Sequence, residues 1–410
     1  MQKGTDRYLP RQQLRRTLAA LAALIALSAV LLAGLALPVI GAAGLTARVG
    51  VSALTEIPSE FKPTQPSQQS VLYSRDGKEI ARFYAENRII VKLKNMSPWV
   101  QKGTIAVEDH RFYQHRGVDL EGIARAIVNN LAGRDTQGAS TLTQQLVKNT
   151  LIDKGLRSGD MNEVRKAREQ SISRKLREAK DALAIEKKLT KDEILEGYLN
   201  IAPYGISVYG VESASRYYFS KSAKDLTISE GALLSGITQS PAKYDPTIHP
   251  DASQNRRDQV LKAMLREQMI SYEQYNEAKA IKVTDMLKVS PGKQGCATAG
   301  KASYFCAYAV NEIYNNPAFG KSLNDRRRLL LRGGLQIYTT MDSNMQNAAT
   351  DTAFNRIPEA DGSGLSISIT SIEPGSGKIR AIAQNTTYGN PDKEHPRATQ
   401  NSFGVDKAHG

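Results

Sequence analysis

The sequence predicts a mainly α-helical protein that sits behind one membrane-spanning helix and ends in a strand-containing segment. Three patterns predict it. Residues 17–47 carry no charge. From Ser97 to about Gln268, apolar residues recur at three- and four-residue intervals, the period of a helix with one buried face. After Gly333-Gly334, short β-rich runs replace that period. At 410 residues and 40% hydrophobic content the chain can hold two domains and a substantial core.

Residues 17–40 are mostly Leu, Ala, Val and Ile, a stretch long enough to cross a hydrocarbon core of about 30 Å. Ahead of it, in residues 1–16, stand Lys3, Arg7, Arg11, Arg15 and Arg16 against the single acid Asp6, so the N-terminus is expected in the cytoplasm and the bulk outside. A cleaved signal peptide is the alternative, but its apolar region usually runs only about 7 to 15 residues. Lys and Arg number 55 against 41 Asp and Glu, a net charge of +14 that favours anionic partners. Export makes nucleic acid a poor partner and leaves anionic lipid or extracytoplasmic precursors.

Residues 41–70 read as a stalk, with three prolines among polar residues between Ile57 and Ser70. Folding is expected to begin near Val71, where VLYS, RDGK and EIARF form a hairpin with Asp76-Gly77 in the turn. Residues 71–268 are then the helical domain, and in it Thr190 followed by Glu193 is a capping-box pair opening a helix. Residues 269–335 are a mixed connector. It contains the only cysteines, Cys296 and Cys306, which could staple a local loop outside the cytoplasm or remain two unpaired buried thiols. Residues 336–410 begin a second, strand-containing domain, with LSISITSIE and KIRAIAQN flanking a PGSG turn.

Three clusters can carry chemistry. In TIAVEDHRFYQHRGVD an apolar helix end delivers Glu108 and Asp109 beside Phe112 and His115; such a pair is commonly a surface feature, yet a carboxylate enclosed by apolar groups is also how a general base is held near working pH. In GASTLTQQLVKN the residues Thr141, Gln145 and Lys148 share one helix face, a set that suits a sugar phosphate. The plain alternative is an amphipathic helix capped by Ser140, with Leu142 and Leu146 inside. In RKLREAKDALAIEKKL, Arg174 and Glu178 lie one turn apart with Lys175 beside them: either an ordinary ion pair of ~0.5 kcal/mol or less, or a diphosphate clamp with Glu178 holding a divalent cation. Twelve basic residues against six acidic ones lie between Lys154 and Lys191, a density that also fits a solvated face.

In order and spacing, EDHRFYQHRGVD, GASTLTQQLVKN, RKLREAKDALAIEKKL, KDEILEGYLN and SASRYYFSK resemble the five motifs of the peptidoglycan glycosyltransferase family, over roughly residues 70–265. The resemblance implies a lysozyme-like, mainly helical domain whose small lobe dips into the membrane. It implies that Glu108 is the base that deprotonates the acceptor sugar 4-hydroxyl, and that Glu178 assists departure of the lipid diphosphate, which Lys148, Arg174 and Lys175 neutralise. Thr141, Gln145 and Asn149 would line the donor site, while Asp109, Phe112 and His115 would surround the base. A divalent cation, Mg or Mn, is expected, and no organic cofactor. Lipid II, the growing glycan strand, membrane lipids and cell-wall synthesis or division proteins are the expected partners. Glu196 and Asn200 match the fourth motif, with a structural role at least as plain. Ala139 stands where the family commonly has a second glycine.

GGLQIYTTMDSNMQ and SIEPGSGKIRAIAQN resemble the start of the transpeptidase domain of bifunctional, class A penicillin-binding proteins. Such a domain uses a Ser-x-x-Lys nucleophile and a later Lys-Thr-Gly or Lys-Ser-Gly. Neither is present in residues 336–410, so acylation by penicillin is not expected of this chain. Two other readings stand beside the polymerase: a lysozyme-like hydrolase or lytic enzyme, which also uses paired carboxylates, and a non-catalytic membrane-anchored scaffold. A hydrolase acting on uncharged glycosidic bonds has no need of the cationic clamp, and a scaffold has no need of Glu108 and Glu178.

Overall fold

In the computed structural model the described residues are 61, 64–123, 125 and 140–405. The expected tail, the expected spanning helix at 17–40 and Ala139 lie outside them. No helix among the described residues is long and apolar enough to cross a membrane.

A hairpin forms where its turn chemistry requires. β1 (Ser70–Tyr73) and β2 (Glu79–Phe83) pair antiparallel, and Gly77 between them takes φ +77°, a region open to glycine. After β3 (Asn87–Arg88) comes α1 (Pro98–Glu108), capped by Ser97 and started by a proline. The helical series continues with α2 (Leu142–Ser158), α3 (Met161–Arg168), α4 (Ile172–Ile185) and α5 (Lys191–Ile201). The expected Thr190–Glu193 capping box opens α5. A short β4 (Val208–Tyr209) pairs with β3, followed by α6 (Val211–Phe219), α7 (Ile228–Ile237), α8 (Pro250–Arg266), α9 (Tyr272–Ala280) and α10 (Val283–Met286).

The core of this series is centred on α7, buried from Ser229 to Ile237. Leucines and isoleucines of α2, α5 and α7 meet Val100, Phe112 and Tyr198 in one cluster, which also takes in Val283 and Met286. The helical body therefore extends beyond the expected limit of 268. α1 lies against α7 at unusually short range, because a Cβ at Gly231 would stand 2.8 Å from Val100 N and one at Gly103 would stand 2.7 Å from Ser235 Oγ. Ser235 Oγ completes the contact by donating to Val100 O at 3.2 Å. That close approach fixes where the C-terminus of α1 points.

The connector and tail form a second cluster. α11 (Ser303–Asn315), α12 (Leu323–Arg332), β5 (Gln336–Tyr338), α13 (Ser343–Arg356), β6 (Ser368–Ile372) and β7 (Ile379–Gln384) follow in order. β6 and β7 are antiparallel about the expected PGSG turn. Leu72, Ile80 and Phe83 of the hairpin pack here with Phe305, Leu330, Met341 and Ile382, so the hairpin expected to open the helical domain shares its core with the connector. β1 also pairs in parallel with β5, Leu72 opposite Ile337. Cys296 and Cys306 are bonded, with a Cα separation of 5.4 Å.

Folding begins earlier than Val71, and the stalk reading fails from Phe61 onward. Phe61 lines the helical core, and Ser67, Gln69 and Ser70 are buried. The clamp is Asp153 of α2: it accepts from Ser67 N at 2.9 Å and pairs with Arg88 at 2.8 Å, both side chains almost completely buried. Proline spacing alone carries no sign of so distant a partner. Asp153→Ala leaves the Arg88 guanidinium buried without its counter-charge and is expected to cost about 3 kcal/mol or more in urea unfolding; a loss under about 1 kcal/mol would show that the clamp contributes little.

Candidate active site

Two short contacts bring the ends of α1 and α2 together. Asp109 follows the last residue of α1, and its buried carboxylate accepts from Leu142 N, the first amide of α2, at 3.0 Å. Free amides and the positive end of the helix dipole favour an anion there. His115 Nε2 lies 2.9 Å from the same carboxylate, and Phe112, fully buried, stands edge-on to the His115 ring. The expected trio of Asp109, Phe112 and His115 is thus assembled, and it acts on helix placement.

One turn along α2, Gln145 Nε2 donates to Glu108 Oε2 at 2.8 Å while Tyr198 Oη donates to Gln145 Oε1 at 3.2 Å. Arg256 of α8 lies 3.7 Å from the other Glu108 oxygen, and the Glu108 side chain is only 13% exposed. Burial pushes the Glu108 carboxyl above the usual carboxylate range, Gln145 and Arg256 pull it back, and Asp109 adds to the rise. A carboxylate that is hard to ionise, yet aimed by one hydrogen-bond donor with a guanidinium nearby, has the character of a general base.

Lys148 lies three residues beyond Gln145 on α2. Burial lowers its ammonium pKa, Glu178 opposes that, and Arg174, Lys175 and Arg168 reinforce it. Glu178 on α4 is 2% exposed, with Arg174 Nη1 bonded to one oxygen and Lys175 Nζ 3.4 Å from the other. The third sequence cluster is therefore more than a solvated face. Its acid is buried, and it holds two cations beside a third. Acid and cations share α2, whose successive turns present Gln145 to Glu108 and Lys148 to the Glu178 group.

Thr141 takes a different part from the one expected. It caps α2 in place of Ser140, in a capping box with Gln144, and its hydroxyl donates to Gly117 O at 2.6 Å. That commitment leaves the hydroxyl little freedom to line a donor site. Asn149 is half-buried beside Lys148. Glu196 and Asn200 hold the backbone before α1, accepting from Leu93 N and Val91 N. Arg256 is the residue that sequence reasoning missed. It adjoins Arg257, a core guanidinium bonded to Ser229, and nothing in the pattern separates the two.

Glu178 makes a poor resident ligand for a divalent cation. Both its oxygens already face cationic partners, and no group of three or more His, Cys, Asp or Glu able to hold a metal occurs among the described residues.

Residues 76–265 match the family model described as Transglycosylase. The chain is similar to penicillin-binding protein 2D of Bacillus subtilis, 35% identical over 79% of this chain and 43% of that protein. It is also similar to penicillin-binding protein 1A of Clostridium perfringens, 36% identical over 68% of this chain and 41% of that one. The chain thus spans less than half the length of these relatives. A crystal structure of penicillin-binding protein 1A from Haemophilus influenzae aligns at a TM-score of 0.36 and 22% identity, over 72% of this chain and 30% of that one.

A carboxyl whose folded pKa is raised stabilises the fold fully below its unfolded pKa and loses that contribution as pH rises through the folded value. Glu108→Gln keeps the size and an acceptor for Gln145 without the charge. The variant is expected to melt at or above the parental temperature at pH 7, an advantage that fades as the pH is lowered toward 4. A melting temperature several degrees below the parent at pH 7 would contradict the strained-carboxylate description.

Proposed function

From the match of residues 76–265 to the transglycosylase model and from the geometry of the site, we propose that the chain polymerises lipid II into a β-1,4-linked glycan strand with release of a polyprenyl diphosphate. The observation that carries this reading is that successive turns of α2 meet a largely buried carboxylate, Glu108 of α1, through Gln145 and a group of partly buried cations, Lys148 of α2 with Arg174 and Lys175 around Glu178 of α4. Glu108 takes the proton of the acceptor 4-hydroxyl as that oxygen bonds to the donor anomeric carbon. The bond from that carbon to the diphosphate oxygen breaks, with its electron pair leaving on the diphosphate. Lys148, Arg174 and Lys175 neutralise the leaving group through charge-assisted hydrogen bonds. Glu178 positions Arg174 and Lys175. Direct displacement inverts the α-linked phosphate to a β-glycoside, and a neutralised diphosphate leaves without a strong acid.

We read the helical body as lysozyme-like and residues 336–410 as the start of a penicillin-binding transpeptidase domain. Residues 17–40 are read as the anchor that keeps the catalytic body at the outer face of the cytoplasmic membrane, near lipid headgroups and other wall-synthesis or division proteins. A divalent cation belongs to this reading only as a counter-ion arriving with the diphosphate, and no step is routed through it; comparing rates with and without a chelator tests that.

Glu108→Gln is expected to lower the polymerisation rate on lipid II by about 10² or more. Glycan made at the parental rate would remove Glu108 as the base. Gln145→Ala and Arg256→Gln each withdraw a partner of the ionised carboxylate, so both should move the acid limb of the kcat/KM profile to higher pH; an unmoved limb would assign it to another group. Product formed from finished peptidoglycan, with none from lipid II, would favour a hydrolase.

A further inference from the structure

At the far end of α2 a polar cavity of about 400 Å³ is lined by Gln65, Gln68, Arg157, Asp325, Arg328 and Arg332 among others. We propose that this cavity is a second oxyanion site, suited to a phosphate group and separate from the catalytic cations. Arg157 is nine residues beyond Lys148, about 14 Å along the helix at 1.5 Å per residue, too far for one bound ion to serve both.

The side chains there are held yet incompletely paired. Arg332 spends Nε and Nη2 on the two oxygens of Glu86, each at 2.9 Å. Arg328 pairs with Asp325, whose other oxygen is occupied by the Ser322 cap. The Arg328 guanidinium rests against Gly159, where a Cβ would stand 2.7 Å from Cζ, so only glycine leaves it that position. Arg157 Nε is buried, lies 3.5 Å from Asp153 Oδ2 and makes no hydrogen bond among the described residues. Asp153 is already engaged by Arg88 and Ser67 N. Four guanidiniums thus face three carboxylates, Glu86, Asp153 and Asp325, leaving one positive charge in excess. Planar guanidinium forks with glutamine amides beside them match the several acceptors of a phosphate. Such an ion would tie together residues 65–68, α2 and the end of α12 that leads into β5.

Free phosphate and a phospholipid headgroup offer the same chemistry, so the test has two arms on the full chain, the first in detergent and the second with the detergent removed. Calorimetric titration with inorganic phosphate at constant ionic strength is one; binding to phosphatidic acid vesicles against phosphatidylcholine vesicles is the other. Saturable binding is expected in at least one arm, weakened about tenfold or more by Arg157→Gln and by Arg328→Gln, and retained in Lys148→Gln. Arg328→Gln gives up only a partly exposed pair, so it answers the question even where Arg157→Gln, beside Asp153, disturbs the fold. Binding to vesicles alone assigns the site to a headgroup. No saturable binding up to on the order of 10 mM in either arm overturns the proposal, as does binding lost in Lys148→Gln and kept in both arginine variants.

Discussion

The arrangement depends on one hydrogen-bonded carboxylate, that of Asp109 at the first amide of α2. α1 is held by its close contact with α7, so its C-terminus is a fixed point. Asp109 joins that point to α2, and His115 holds Asp109 from the other side. Once α2 starts there, its rise per residue sets the rest: Gln145 comes level with Glu108, and Lys148 with the Glu178 group. Adjacent acids in the sequence thus divide the labour, one placing a helix and the other left partly uncompensated.

A second constraint is topological. β1 pairs with β2 on one side and with β5 on the other, although more than 260 residues separate Leu72 from its partner Ile337. The whole helical body is therefore inserted between neighbouring strands of one small sheet. Closing such a loop carries an entropic cost that grows only slowly with length, and the sheet recovers it through a shared apolar cluster in which the Cys296–Cys306 bond is embedded. Asp153 adds a clamp from α2 to the chain just before β1, so α2 is held near both ends.

What the sequence disclosed follows the range of the interactions involved. The β1–β2 turn, the Thr190 cap and the β6–β7 hairpin are decided within a few residues, and each stands where the pattern put it. The motif clusters were legible for the same reason, since each lies within one helix or its flanking turn. The α2 cap was legible too on a stricter reading: of Ser140 and Thr141, only Thr141 has a Gln three residues on. Arg256 beside Glu108, Ser67 on Asp153 and the pairing of β1 with β5 were hidden, because each joins residues more than 80 positions apart and no local pattern marks either partner.

The electrostatics of the site also carry an order of events. Burial works against charge at both ends of the site, raising the Glu108 carboxyl and lowering the Lys148 ammonium. In the free protein each charge has partial compensation: Gln145 and Arg256 for the acid, Glu178 for the lysine. On the proposed reading, an arriving diphosphate brings negative charge to the Lys148 side, which favours the charged ammonium and strengthens the clamp just where the leaving group needs it. The acid has no such visitor of opposite sign, so its tendency to take up a proton persists into the complex, and that tendency is what an acceptor hydroxyl meets. Compensating Glu108 more fully, with a closer guanidinium than Arg256 at 3.7 Å, would ease ionisation but weaken the base. The loose pairing is thus a compromise between keeping the carboxylate available and keeping it basic.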